Sequence, residues 1–151
     1  MTRIGFRWII SPAKGKSPGV AAAAVTGELA HFIDGSSPEM PLHFIVDSDS
    51  WNYSVAPERD KGGVELLSIA SGTFNPPLAE DGKTIHSVEI CVAKDTATLS
   101  LPDGTEQTVR DPRIKAWASR FAFFEPFSAS GDPSSIAGFT EVWADSKPCR
   151  N

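Results

Sequence analysis

The chain has 151 residues and a mass of 16.2 kDa, which is the size of one ordinary domain. Its formal net charge is −5 and its sequence pI is about 5.1, so overall charge does not hold it on nucleic acid or on an anionic membrane. Hydrophobic residues make up 40% and charged residues 22%, which excludes wholesale disorder. We therefore expect a single domain over residues 1–151, with neither nucleic acid nor a membrane as its partner.

Short apolar segments that alternate with polar residues predict β-strands along most of the chain. The segments are residues 4–10, 42–46, 64–70, 84–92, 97–101 and 136–143. In the first of them, Arg3 and Arg7 lie opposite the apolar side chains. Residues 84–109 are predicted to form a meander of successive hairpins. Six or seven short strands indicate a mainly β fold, an antiparallel sandwich or barrel, with α+β as the alternative.

Two segments are predicted to interrupt this pattern with helices. The first is predicted over residues 112–124, where Asp111 suits the N-cap and Pro112 the first helical position. Helical spacing then continues through Ile114, Trp117, Ala118 and Phe121. Residues 18–33 favour a second helix, and two short strands hinged at Gly27 are the alternative.

The N-terminal segment and the cysteines indicate where the protein resides. The first apolar run is interrupted by Arg7 and ends at Ser11, which is too short for a signal core, so we expect a soluble cytoplasmic protein. Neither Cys91 nor Cys149 has a neighbour in a CxxC motif. We expect a buried Cys91 in a strand and an unpaired Cys149 near the tail, with a disulfide between them left open.

Metal and cofactor chemistry finds little support in the sequence. The three histidines are His31, His43 and His86, and no two of them have a spacing that brings metal ligands together without help from the fold. No complete phosphate-binding loop or nucleophile elbow is present. We therefore expect no metal ion and no cofactor.

The strongest candidate for a binding residue is Trp51. It lies in a polar segment that is typical of a loop, with Asp49 and Asn52 as neighbours and Tyr53 close by. An aromatic ring flanked by such side chains is typical of a sugar-binding surface, where stacking combines with hydrogen bonds. The alternative is that Trp51 folds back onto the edge of the core.

His86 is a second candidate because it shares the apolar face of its predicted strand with Val88 and Ile90. A histidine in that position either finds a buried hydrogen-bond partner or lines a cavity. The sequence leaves both alternatives open.

Three functions remain open, and whether the protein is an enzyme is undecided. We favour a non-enzymatic module that binds a carbohydrate or small molecule. Its expected ligand-binding residues are Trp51, Tyr53, Asp49, Asn52 and His86. The first alternative is a small β-barrel enzyme of the isomerase or cyclase type, with His86 facing an enclosed apolar substrate. The second alternative is a structural or assembly subunit, for which a homo-oligomer is expected.

Overall fold

The computed structural model describes residues 2–27, 38–57, 65–115 and 120–149, and the regular structure in this part of the chain consists of β-strands. The strands are β1 (Arg3–Pro12), β2 (Gly19–Thr26), β3 (Met40–Val46), β4 (Ser50–Ala56), β5 (Leu67–Thr73), β6 (His86–Ala93), β7 (Thr96–Ser100), β8 (Glu106–Arg110), β9 (Phe121–Ser128) and β10 (Ser135–Asp145). In the described residues no helix is long and apolar enough to cross a membrane.

The strands form two five-stranded antiparallel sheets. The first sheet has the order β10-β1-β6-β7-β8, and the second has the order β5-β4-β3-β2-β9. The expected meander over residues 84–109 is confirmed, because β6, β7 and β8 pair in succession. The two sheets face each other as a β-sandwich, so that part of the fold prediction is confirmed and the barrel alternative is wrong.

The core lies between the sheets and is built from the alternating apolar residues of each strand. Phe6 and Trp8 of β1 are fully buried, whereas Arg7 between them is exposed. The Phe6 ring contacts aromatic rings from both sheets at centroid distances of 5.1 to 6.5 Å; its partners are Trp8, Phe44, Phe124 and Phe139. These contacts leave the odd-numbered residues of β1 on the outer face of the first sheet.

Both predicted helices are wrong where the structure describes them. Residues 121–124 begin β9, which pairs with β2, and residues 19–26 are β2 itself. Asp111 caps a single turn, in which Ile114 N donates to its carbonyl oxygen at 2.9 Å. Trp117 and residues 28–33 lie outside the described residues. Because β2 is paired on both sides, strand pairing overrides the helix propensity of its alanines.

The expectation of an unpaired Cys149 is also wrong, because Cys91 and Cys149 form a disulfide bond with their Cα atoms 5.7 Å apart. Cys91 lies on β6 opposite Arg3 of β1, on the outer face of the first sheet. The bond therefore fixes residues 146–149, which follow β10, against this outer face. We call these residues the C-terminal tail.

His43 makes the stability of the fold sensitive to pH. It is half-buried on β3, burial lowers its pKa from 6.5, and among the described residues its Nδ1 atom has no hydrogen-bond partner. The unfolded chain therefore takes up a proton at a higher pH than the folded chain. The resulting stability is complete above about pH 6.5 and is lost as the pH falls toward the lowered pKa.

We expect the melting temperature to fall more steeply between about pH 7.5 and pH 5 in the natural protein than in His43→Asn, because the asparagine does not titrate. Thermal unfolding monitored by circular dichroism in a series of buffers measures both curves. Parallel curves would contradict this role for His43.

Candidate functional site

A groove of about 730 Å³ crosses the outer face of the first sheet. All five strands of that sheet and the C-terminal tail contribute to it. Its lining residues are Arg3, Arg7, Ser87, Glu89, Cys91, Thr98, Ser100, Glu106, Glu141, Trp143, Asp145, Lys147 and Cys149. They are polar residues that alternate with the buried core residues of the same strands, together with one tryptophan and the disulfide.

Trp143 of β10 lies flat on the floor of the groove. Its partner on β1 is Gly5, and a Cβ at that position would lie 2.5 Å from Cε2 of the indole and 2.7 Å from the Val88 carbonyl oxygen. Only a glycine therefore leaves room for the ring. The indole Nε1 donates to Glu89 Oε2 at 3.1 Å, which fixes the orientation of the half-buried ring.

The strand register sets the direction of the groove. Neighbouring positions across the sheet are occupied by Trp143, Gly5, Glu89, Ser100 and Glu106. This row crosses four strand spacings of about 4.8 Å each, or about 19 Å in all. The floor of the groove thus runs perpendicular to the strands and is long enough for an extended ligand.

One wall of the groove is built around Arg3. Its Nε and Nη2 atoms donate to the two carboxylate oxygens of Asp145 at 3.1 and 2.7 Å, and its Nη1 lies 3.6 Å from Glu89 Oε2. In the C-terminal tail, Lys147 Nζ lies 3.9 Å from Asp145 Oδ2. The disulfide continues this wall, because Cys91 of β6 is the register partner of Arg3.

The opposite wall is formed by Arg7 and Glu141. These residues are register partners, and Arg7 Nη1 donates to Glu141 Oε2 at 2.9 Å while both side chains stay about half exposed. Ser87 lies next to Arg7 on β6. This wall therefore offers guanidinium donors, carboxylate acceptors and a hydroxyl group to a bound molecule.

Asp145 is held in its ionised form. The hydrogen bond from the Arg3 side chain is the main cause of its lowered pKa, and the backbone N–H of Lys147 adds to it. A general acid needs a pKa raised toward the working pH, so Asp145 is suited to positioning and not to proton transfer.

The structure places the predicted binding residues Trp51 and Tyr53 in the core. Trp51 is in β4 instead of a loop, and it is 3% exposed. Its ring stacks on that of Phe44 with the ring centroids 6.1 Å apart. Tyr53 is fully buried, donates its hydroxyl to the Pro41 carbonyl oxygen at 3.1 Å and has a pKa raised mainly by burial. Neither ring has a face open to a ligand, because alternation along β4 turns both toward the first sheet.

His86 is also buried, and its ring has a hydrogen-bond partner and an aromatic neighbour. One ring nitrogen, Nε2, forms a 2.8 Å hydrogen bond with the Ala79 carbonyl oxygen, and the ring packs against Trp8 at 5.4 Å. Trp8, the ring that His86 contacts, belongs to the continuous hydrophobic core. The barrel-enzyme alternative needed a cavity at this position, and the structure removes that basis.

Asp49 and Asn52 remain near the surface, but they belong to the second sheet. Asp49 is exposed in the turn between β3 and β4, and Asn52 Nδ2 donates to Ser68 Oγ at 2.8 Å. The structure does not bring them together with His86 or with the groove. Their role in ligand binding stays a prediction.

The sequence analysis did not single out Trp143, because residues 136–143 were predicted only as a strand. The available signal was the alternation of Glu141, Trp143 and Asp145 along β10. These side chains share one face, and an aromatic ring between two carboxylates on a polar face is unusual for a core residue.

The described residues thus form an antiparallel β-sandwich of the jelly-roll kind, and solved structures share this architecture. The carbohydrate-binding module CBM66 of Bacillus subtilis has a TM-score of 0.56 and 14% sequence identity, and the match covers 94% of this chain and 74% of the module. A tetrameric galectin from the sponge Cinachyrella has a TM-score of 0.53 and 18% identity, covering 95% and 90% of the two chains.

An alginate lyase of Pseudomonas aeruginosa has a TM-score of 0.50 and 17% identity, and the match covers 97% of this chain and 64% of the lyase. No family model and no curated protein matches the sequence. At these identities the likeness establishes the fold, which binding proteins and an enzyme share, so function has to be argued from the groove.

Proposed function

We propose that the protein is a non-enzymatic carbohydrate-binding module and that the sugar lies in the groove beside Trp143. The observation that carries this proposal is the indole, fixed flat on Gly5 by its hydrogen bond to Glu89 and lining an open, polar groove. A sugar ring has an apolar face that can stack on such a ring, and its hydroxyl groups can bond to the polar walls.

The side chains of the groove walls are already fixed by contacts within the protein, which supports binding. The Arg3–Asp145 pair is bidentate, and the disulfide anchors the tail beside it, so little side-chain freedom is lost when a ligand arrives. The lowered pKa of Asp145 makes this carboxylate unsuited to act as a general acid. The fold shared with a carbohydrate-binding module and galectins is consistent with this proposal.

We expect Trp143→Ala to weaken oligosaccharide binding at least about 30-fold, which corresponds to the roughly 2 kcal/mol contributed by a central aromatic anchor. Ligands are first found on a glycan microarray, and the affinities of the natural protein and the variant are then measured by isothermal titration calorimetry. Trp143→Phe keeps a stacking ring without the Nε1 donor and should retain part of the affinity.

Asn52→Ala is the matched control, because Asn52 is a surface residue of the other sheet and one of the residues expected from the sequence. If Asn52→Ala abolishes binding and Trp143→Ala leaves it intact, the sugar binds to the second sheet. If no glycan binds to the natural protein, the proposed function is wrong.

A further inference from the structure

We infer that the groove takes a neutral oligosaccharide and discriminates against acidic ones. This inference rests on the carbohydrate-binding function proposed above and concerns the same groove. It follows from the charges of the lining residues and from the partners that each of them already has.

Each basic side chain of the groove lies beside a carboxylate of the protein. Arg3 is shared between Asp145 and Glu89, Arg7 is paired with Glu141, and Lys147 lies near Asp145. Recognition of a sugar carboxylate or sulfate usually depends on a guanidinium or ammonium group that can pair with it. In this groove every such group has a protein carboxylate beside it, so an incoming anion would compete with that carboxylate and be repelled by it.

The acidic side chains outnumber the basic ones. The lining contains three basic residues and four acidic ones, a net charge of −1. Glu106 accounts for the excess, because it is exposed and has no ion-pair partner among the described residues. It lies at the β8 end of the floor, where a chain extending from Trp143 would pass. A uronic acid there would meet a like charge.

A neutral sugar carries no charge, so neither Glu106 nor the carboxylates beside the basic side chains repel it. Its hydroxyl groups can accept from the free N–H groups of Arg7 and donate to Glu141 without separating the pair. Ser87 and Ser100 add hydroxyl partners on the same surface. Because the floor spans about 19 Å, a chain of several units uses more of these contacts than a monosaccharide does.

The test compares neutral chains, laminarin and inulin, with acidic chains, alginate and polygalacturonate, by affinity electrophoresis and calorimetry of the natural protein. We expect at least tenfold tighter binding of a neutral chain, with little change between about 50 and 500 mM salt, because no net charge is neutralised. Glu141→Gln tests the cause: it frees Arg7, so alginate binding should appear and should weaken as salt is added.

Equal or tighter binding of the acidic chains by the natural protein would overturn the inference and leave carbohydrate binding intact. A Glu141→Gln variant that stays folded and gains no affinity for alginate would also overturn it. Absence of binding to all four chains, confirmed on the microarray, would contradict the proposed function itself.

Discussion

Replacing Trp51 by alanine is expected to lower the free energy of unfolding by about 3–5 kcal/mol, the usual cost of deleting a large aromatic side chain from a core. Trp51 is 3% exposed, stacks on Phe44 and lies so close to Gly72 that a Cβ there would be 2.6 Å from the indole Nε1. The removed ring would leave a cavity that the paired strands β3, β4 and β5 cannot fill. Urea denaturation followed by circular dichroism measures the loss.

Trp143→Ala is the natural comparison, because the same substitution is made on the surface of the other sheet. We expect it to cost clearly less stability than Trp51→Ala and to weaken ligand binding as stated above, whereas Trp51→Ala should affect binding only through unfolding. A Trp51→Ala variant with the stability of the natural protein would show that the ring does not pack as described. Selective loss of sugar binding in that variant would restore Trp51 as a binding residue.

Removing the disulfide is expected to cost about 4 kcal/mol on the chain-entropy model, because the bond closes a loop between residues 58 positions apart. The paired variant Cys91→Ser/Cys149→Ser avoids leaving a free thiol. It should unfold at a lower urea concentration than the oxidised natural protein and should show no response to dithiothreitol. The natural protein should approach the variant's stability after reduction.

The same variant also tests the wall of the groove. Without the bond, the C-terminal tail is held by weaker contacts such as the 3.1 Å hydrogen bond from Thr2 Oγ1 to the Lys147 carbonyl oxygen. We therefore expect ligand affinity to fall together with stability. Equal stability of oxidised and reduced protein would contradict a structural role for the bond.

The disulfide also bears on where the protein works. Disulfides persist in oxidising compartments and are rare in a reducing cytosol. The cytoplasmic location expected from the short apolar start of the chain stays a prediction, and the redox state of the Cys91–Cys149 bond in the cell would test it. Thiol labelling of protein isolated from its native source would measure the fraction that is bonded.

Local pattern was sufficient to predict β1, β3, β6 and β7 and their inner faces. Phe6, Trp8 and Ile10 are buried as their alternation indicated, and the hairpins of β6, β7 and β8 follow their turn residues. The period of two is a property of each strand alone, so it can be read without knowing the neighbours. The helix predictions failed for β2 and β9, where pairing between strands distant in sequence decides the conformation.

The groove could not be predicted in the same way. Its floor joins β10, β1 and β6, which lie far apart in the sequence, and it depends on Gly5 lying beside Trp143. The sequence by itself determined an antiparallel β fold and the polar faces of its strands. Only the tertiary structure decided which tryptophan is covered and which is open, because that depends on strand order and on which sheet each face packs against.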